Sequence, residues 1–198
     1  MQASELFNQP NTILLDGGMG TMLQAAGMKL GTRPEDLNIE NPELIRSIHA
    51  KYAAAGSRVV NANTFGASPH KLADSKYTLE EVITAGIANC KQAVAPYGAL
   101  VTLDVGPLGE LLEPSGTLAF EDAVAEYGRI VRAGVAAGAD ILYFETFTDL
   151  YEMKAALLAA KENSTLPIMA SMSFEANGRT FTGCTVESFA ATARGLGA

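Results

Sequence analysis

The chain has 198 residues, 48% of them hydrophobic, which suits one domain with a sizeable core. A formal net charge of -8 and a pI near 4.8 exclude the basic surface of a nucleic-acid binder. No apolar run approaches the roughly 18 residues of a membrane span, and residues 1–10 lack a secretory pattern, so a cytoplasmic enzyme is the expected class.

Residues 12–21 read T-I-L-L-D-G-G-M-G-T. A short apolar run, Ile13, Leu14 and Leu15, ends in Asp16 and then a glycine-rich turn. As a buried strand it would set Asp16 at its carboxyl end, where barrels and open α/β sheets build their sites. Gly17, Gly18 and Gly20 allow a tight turn and close approach of a ligand. Taken alone, a strand, a turn and a solvated aspartate explain the segment equally well.

The pattern recurs along the chain. Arg58, Val59 and Val60 lead into Asn61, Asn63, Thr64 and Gly66; residues 99–103 lead into Asp104; residues 140–144 lead into Glu145; and residues 167–173 form a fifth run, ending near Glu175. Such continuous runs suit parallel strands covered on both faces. Helical patterns separate them. Asn41, Pro42 and Glu43 supply a cap, a first-turn proline and an acid, with Leu44, Ile45, Ile48 and Tyr52 on one face and Gly56 as the stop. Thr78 with Glu81 reads as a capping box, Asp149 with Glu152 as a second, and Thr185 as the cap of a last helix.

Strand and helix alternating five times imply parallel pairing with right-handed crossovers. A doubly wound sheet and a TIM-type (β/α)8 barrel both satisfy this, and polar residues after every strand favour the barrel. Only about the first five βα units are present, against the eight and about 250 residues of a full barrel. The last residues, Gly195 to Ala198, form the kind of turn that feeds a further strand. The expectation is a partial barrel domain over 1–198, either a fragment or one partner of an assembly, with units six to eight missing.

Among the candidate groups, Glu145 in F-E-T-F stands out after Asp16. A carboxylate there could hold an ammonium, act as acid or base, ligate a metal, or simply pair between strands. Asp16 and Glu145 facing each other across a barrel mouth, beside backbone amides of the 17–21 loop, would match an amino acid zwitterion. The glycine loop has neither phosphate-binding consensus, and lysines are absent from the strand ends, which counts against a Schiff-base aldolase. Asn63 and Thr64 either line the mouth or make the turn. Cys90 lies on an apolar helix face, Cys184 on the candidate rim, His70 near the surface, and His49 is expected to face outward. Two cysteines and two histidines so placed do not make a zinc site.

The stretches I-L-L-D-G-G-M-G-T, P-E-D-L-N-I-E-N-P-E-L-I, N-T-F-G-A-S, D-V-G-P-L-G-E-L, I-L-Y-F-E-T-F-T-D-L-Y-E-M-K-A-A and G-R-T-F-T-G together resemble the homocysteine S-methyltransferase family. The similarity is greatest to the N-terminal homocysteine-binding module of cobalamin-dependent methionine synthase and runs over nearly the whole chain. The resemblance implies a (β/α)8 barrel that binds homocysteine through a catalytic zinc and methylates its thiolate to give methionine. Methylcobalamin, bound elsewhere, would supply the methyl group in the methionine synthases, and betaine or S-methylmethionine in relatives. Carried over by motif, Asp16 and Glu145 would hold the homocysteine ammonium. Gly18, Gly20 and Thr21 would approach its carboxylate, and Asn63 and Thr64 would line the pocket. The family's zinc thiolates come from a G-x-N-C motif and a Cys-Cys pair, neither of which is in this sequence. The chain alone is therefore expected to be inactive, with a non-catalytic amino-acid-binding or assembly module, or a barrel lyase acting on a small acid, as the competing readings.

Overall fold

Four of the apolar runs become paired strands: β1 (Val59–Asn61), β2 (Leu100–Val105), β3 (Ile141–Phe147) and β4 (Ile168–Met172). They are seen in a computed structural model that describes residues 3–6, 8, 10–29 and 31–198. The strands pair in parallel in the order β1-β2-β3-β4. The helices are α1 (Ala3–Leu6), α2 (Met19–Ala25), α3 (Leu37–Glu40), α4 (Pro42–Ala54), α5 (Leu79–Val94), α6 (Phe120–Ala136), α7 (Leu150–Asn163) and α8 (Val186–Leu196). From α4 onward each helix packs against the next in chain order. A doubly wound sheet reverses its strand order at a switch point. Here no reversal occurs, and the architecture is that of a partial (β/α) barrel.

The strand sequences explain which face meets the helices. Val60, Val101, Leu103, Leu142 and Phe144 join one buried cluster with Val82, Ile83, Ile87, Tyr127, Ile130 and Leu157 from α5, α6 and α7. Each such side chain contributes about 1.5–3 kcal/mol by leaving water. Alternate residues point to the opposite face, where side chains of changing character follow one another along the strands in tiers that run oblique to the pairing register. The first tier is apolar, with Val59 and Ile141 buried and Ile13, Leu100 and Met169 packed on them. The second is polar and internally bonded: the Thr102 hydroxyl donates to Asn61 Oδ1 at 2.9 Å, and the Tyr143 and Ser171 hydroxyls lie 3.1 Å apart. Asp104 and Glu145 form the third. The strands thus alternate more than their apolar runs suggest, and the gradient runs from hydrocarbon to carboxyl.

The expected first strand departs from regularity. Residues 13–15 make a single parallel bridge, Leu15 to Val59, and the Arg58 N–H donates to the Leu14 carbonyl at 2.8 Å. Leu14 is 55% exposed and Leu15 36%. Among the described residues no strand flanks this segment on its other side, so it has one neighbour where a central strand has two.

The helix starts follow the capping signals, with one difference. Asn41 accepts from the Leu44 N–H, Thr78 and Glu81 complete the reciprocal box, and Thr185 accepts from the Ser188 N–H. Asp149 caps α7 alone, accepting from the Tyr151 N–H. Glu152 instead turns inward, 3% exposed, and accepts from the Leu108 N–H and the Tyr127 hydroxyl, each at 2.8 Å. A buried carboxylate with two donors serves better as a tie between layers than as a surface cap. Helix α6 is preceded by Ala119, which offers no side-chain cap, so no start signal marks it.

His49 is a correction. It is fully buried rather than outward, because it shares the i, i+3, i+4 stripe of Ile45 and Ile48. Neither ring nitrogen has a hydrogen-bond partner, and burial lowers its pKa from 6.5 to about 4. The unfolded chain then binds a proton that the folded chain refuses, and stability is lost as pH falls from about 6.5 toward 4. Replacing it, His49→Leu, should make the chain more resistant to urea than wild type at pH 5 by about 2 kcal/mol, with a much smaller difference at pH 8. Parallel urea midpoints for the two proteins across that range would contradict this account of His49.

Candidate functional site

At the carboxyl ends of the strands lies a cavity of about 400 Å³. Four carboxyl groups line it, those of Asp16, Glu35, Asp104 and Glu145, together with Gly17, Gly18, Gly20, Asn61, Asn63, Phe65 and Thr146. No His or Cys side chain is among the lining residues.

Asp16 follows the bridge at Leu15, and its Oδ2 accepts from the Asn61 N–H at 3.0 Å. Its Oδ1 is buried without a partner. Desolvation is the main cause that lifts its pKa from 3.8 to about 7, with repulsion from Glu145 adding and the Asn61 N–H subtracting. The glycine turn after it is a packing requirement as well as an opening. A Cβ on Gly17 would stand 3.0 Å from the Tyr52 ring and hydroxyl, whereas one on Gly20 would meet nothing within 4 Å. The Tyr52 and Thr21 hydroxyls both donate to the Gly18 carbonyl, at 3.1 and 3.0 Å.

Glu145 sits near the end of β3, where the register with β4 shifts between Phe144 and Phe147. Thr146, the next residue, has φ 56°, a left-handed value rarely adopted by a β-branched side chain. Its N–H is held by Ser171 Oγ at 3.1 Å. Bulges of this kind re-aim side chains at barrel rims, and strained backbone gathers at working sites. Burial raises the Glu145 pKa.

Glu35 was not singled out from the sequence. It lies in a 3-10 turn at Pro34–Asp36, is 6% exposed, and accepts from the Gly66 N–H at 2.7 Å. A Cβ on Gly66 would come within 2.6 Å of that carboxylate, so the glycine admits it. Burial raises the Glu35 pKa, and Lys71 and Arg33 partly offset this. The only available signal was the position of Pro34 and Glu35 within the P-E-D-L-N stretch; nothing local shows that the turn folds over the strand ends.

Asn63 and Thr64 take different places. Asn63 borders the cavity, but its side-chain amide donates to the Pro34 carbonyl at 2.7 Å and to Asn38 Oδ1 at 2.9 Å. Asn38 in turn donates to the Asn63 carbonyl. The pair thus clamps the Glu35 turn to the end of β1. Thr64 is 1% exposed and outside the lining; its hydroxyl donates to the Asp104 carbonyl at 2.8 Å and accepts from the Asp104 N–H at 3.1 Å. Thr21 likewise lies beside the cavity, spent on Gly18. Phe65 forms one wall, pressed against Gly106, whose Cβ would lie 2.7 Å from the ring.

Other sequence candidates stand apart. Glu175 is exposed in a turn, and Cys184 lies in a separate crevice with Asp149 and Ser188. Cys90 is buried in the core, and His70 sits between Glu110 and Glu126. Among the described residues no group of three or more His, Cys, Asp and Glu is arranged to hold a metal ion, and no helix is long and apolar enough to cross a membrane.

A family model described as homocysteine S-methyltransferase matches residues 13–198. The chain belongs to the homocysteine S-methyltransferase family. The fold is also that of a solved homocysteine methyltransferase, MmuM from Escherichia coli. Against its metallated form the TM-score is 0.84 at 22% identity, covering 97% of this chain and 73% of that one. Against its oxidised form the values are 0.85 and 25%, covering 96% and 72%. A homocysteine S-methyltransferase barrel therefore accounts for the strand order, and the carboxyl-lined cavity lies at the carboxyl ends of its strands.

The raised Asp16 pKa carries a stability consequence. An acid whose folded pKa lies above its unfolded value costs stability as pH rises through the folded value. Asp16→Asn, which keeps the shape and removes the charge, should stabilise the chain at pH 8 by about 2–4 kcal/mol, the lower figure allowing for partial hydration. The gain should vanish near pH 4. Thermal melts in which the variant gains nothing at pH 8 would refute the desolvation argument.

Proposed function

We propose that this chain is the homocysteine-binding portion of a methyltransferase that converts homocysteine to methionine, with the carboxyl-lined cavity as its amino-acid site. The observation that carries this reading is the set of four carboxyls in one cavity, with Asp16 and Asp104 each presenting a buried, unpartnered oxygen. The cations that act on the set, Lys71 and Arg33, act on Glu35. An arrangement so short of positive charge suits a ligand that brings an ammonium.

In this reading Asp16 and Glu145 hold the ammonium from opposite sides. The backbone at Gly18, Gly20 and Thr21 approaches the ligand carboxylate, where Gly20 leaves open space. Asn63 holds the turn that carries Glu35, Thr64 holds the end of β2, and Phe65 gives the thioalkyl chain an apolar wall. Fixing the amino acid at three points directs its sulfur away from the carboxyl cluster and limits its rotation before reaction.

The family resemblance adds a zinc ion, which when bound lowers the thiol pKa. The lining residues do not fit it: they are carboxyls without His or Cys, and no metal-holding group exists among the described residues. The same holds for methylcobalamin, since a carboxyl-lined cavity of about 400 Å³ is small for a corrin. The thiol-activating metal and the methyl donor thus belong, in this proposal, to residues other than these. The unpaired cysteines fit a cytoplasmic setting.

Two outcomes follow. Asp16→Ala and Glu145→Ala should each weaken homocysteine binding, measured by calorimetry on the whole chain, by roughly ten- to a hundredfold, the 1.5–3 kcal/mol of a lost charge-assisted contact. Unchanged affinity in both variants would defeat the ammonium site. Elemental analysis at neutral pH should find no stoichiometric zinc, and one tightly held zinc per chain would overturn the placement of its ligands elsewhere.

A further inference from the structure

Of the two cavity carboxyls that the ammonium contacts do not use, Glu35 is held by the Gly66 N–H with Lys71 and Arg33 nearby, and Asp104 is not so held. It is 6% exposed, and its Oδ1 is buried without a partner on the cavity wall. Its own backbone N–H and carbonyl are both spent on the Thr64 hydroxyl. The other three carboxyls have relief that Asp104 lacks. Asp16 has the Asn61 N–H, Glu35 has the Gly66 N–H with Lys71 and Arg33 nearby, and Glu145 is only half-buried.

The groups that act on Asp104 are Glu145 from β3, Asp16 from the first run and Glu35 from the 3-10 turn. Tyr143 of β3 feels Asp104 in turn, and the Cys90 thiol of α5 feels Asp16. None of these brings positive charge. Burial and the three acids together push the Asp104 pKa well above the usual carboxylate range.

We propose that Asp104 is held as the neutral acid in the ligand-free chain and loses its proton when a ligand ammonium enters, so that amino-acid binding releases about one proton. The Asp104 O–H bond breaks, the proton passes to solvent, and the new carboxylate faces the ammonium together with Asp16 and Glu145. Asp104 is thereby a positioning residue that sets the charge of the site to that of its ligand. The proposal rests on the ammonium reading above. It predicts that homocysteine binding tightens with rising pH, by up to tenfold per unit, until the ligand ammonium itself begins to titrate.

Two measurements on the whole chain decide it. Calorimetry of homocysteine at pH 8, above the pKa of about 7 at Asp16, in buffers of different ionisation heat should show release of about one proton. That release should be lost in Asp104→Asn and kept in Asp16→Asn. Infrared difference spectra of the ligand-free chain at pH 8 should show a protonated-carboxyl C=O band that Asp104→Asn removes. Absence of that band, or equal proton release by wild type and Asp104→Asn, overturns the inference. The band present in a chain that binds no homocysteine overturns the ammonium site and leaves the neutral Asp104 standing.

Discussion

Carboxyl groups gathered at the ends of parallel strands, without enough cations to neutralise them, are the constraint on which the site depends. Burial of Asp16, Glu35, Asp104 and Glu145 around one cavity is unfavourable for the isolated chain, and each pKa moves up in consequence. The rest of the fold makes that arrangement possible. The helix-facing cluster supplies the burial energy, the Thr102–Asn61 and Tyr143–Ser171 contacts satisfy the polar tier beneath, and the Asn38–Asn63 clamp brings Glu35 in from above. Binding and stability therefore pull against each other at these residues, as is common where a site must be charged and dry.

Much of the fold was legible because the signals were local. The runs at 58–60, 99–103, 140–144 and 167–173 became strands, and Asn41, Thr78 and Thr185 became caps, since apolar runs and capping side chains act within a few residues. The failures share one cause, which is tertiary. Leu14 and Leu15 are as apolar as any strand, but among the described residues their segment pairs with a strand on one side only. The spacing of Glu152 suits a cap partner, yet it is a buried tie; His49, expected to face outward, lies on the stripe of Ile45 and Ile48.

The site was legible in part for the same reason. Asp16 and Glu145 end apolar runs, a signal visible in one dimension. Glu35 comes from a turn whose folding over β1 is set by side-chain amides from two other segments. Thr64 directly follows Asn63 in sequence, yet it points beneath the cavity to the backbone of Asp104. The raised pKa values arise from several groups meeting, which no single stretch reveals.

The central claim is that the cavity recognises the ammonium of an amino acid. Its most direct test compares homocysteine with its desamino analogue, 4-mercaptobutyrate, by calorimetry on the same chain at pH 8. Asp16 is then charged, and the two ligands share a thiol and a carboxylate. The account predicts that removing the ammonium weakens binding by at least about tenfold, the loss of one charge-assisted contact. Equal affinities would contradict it.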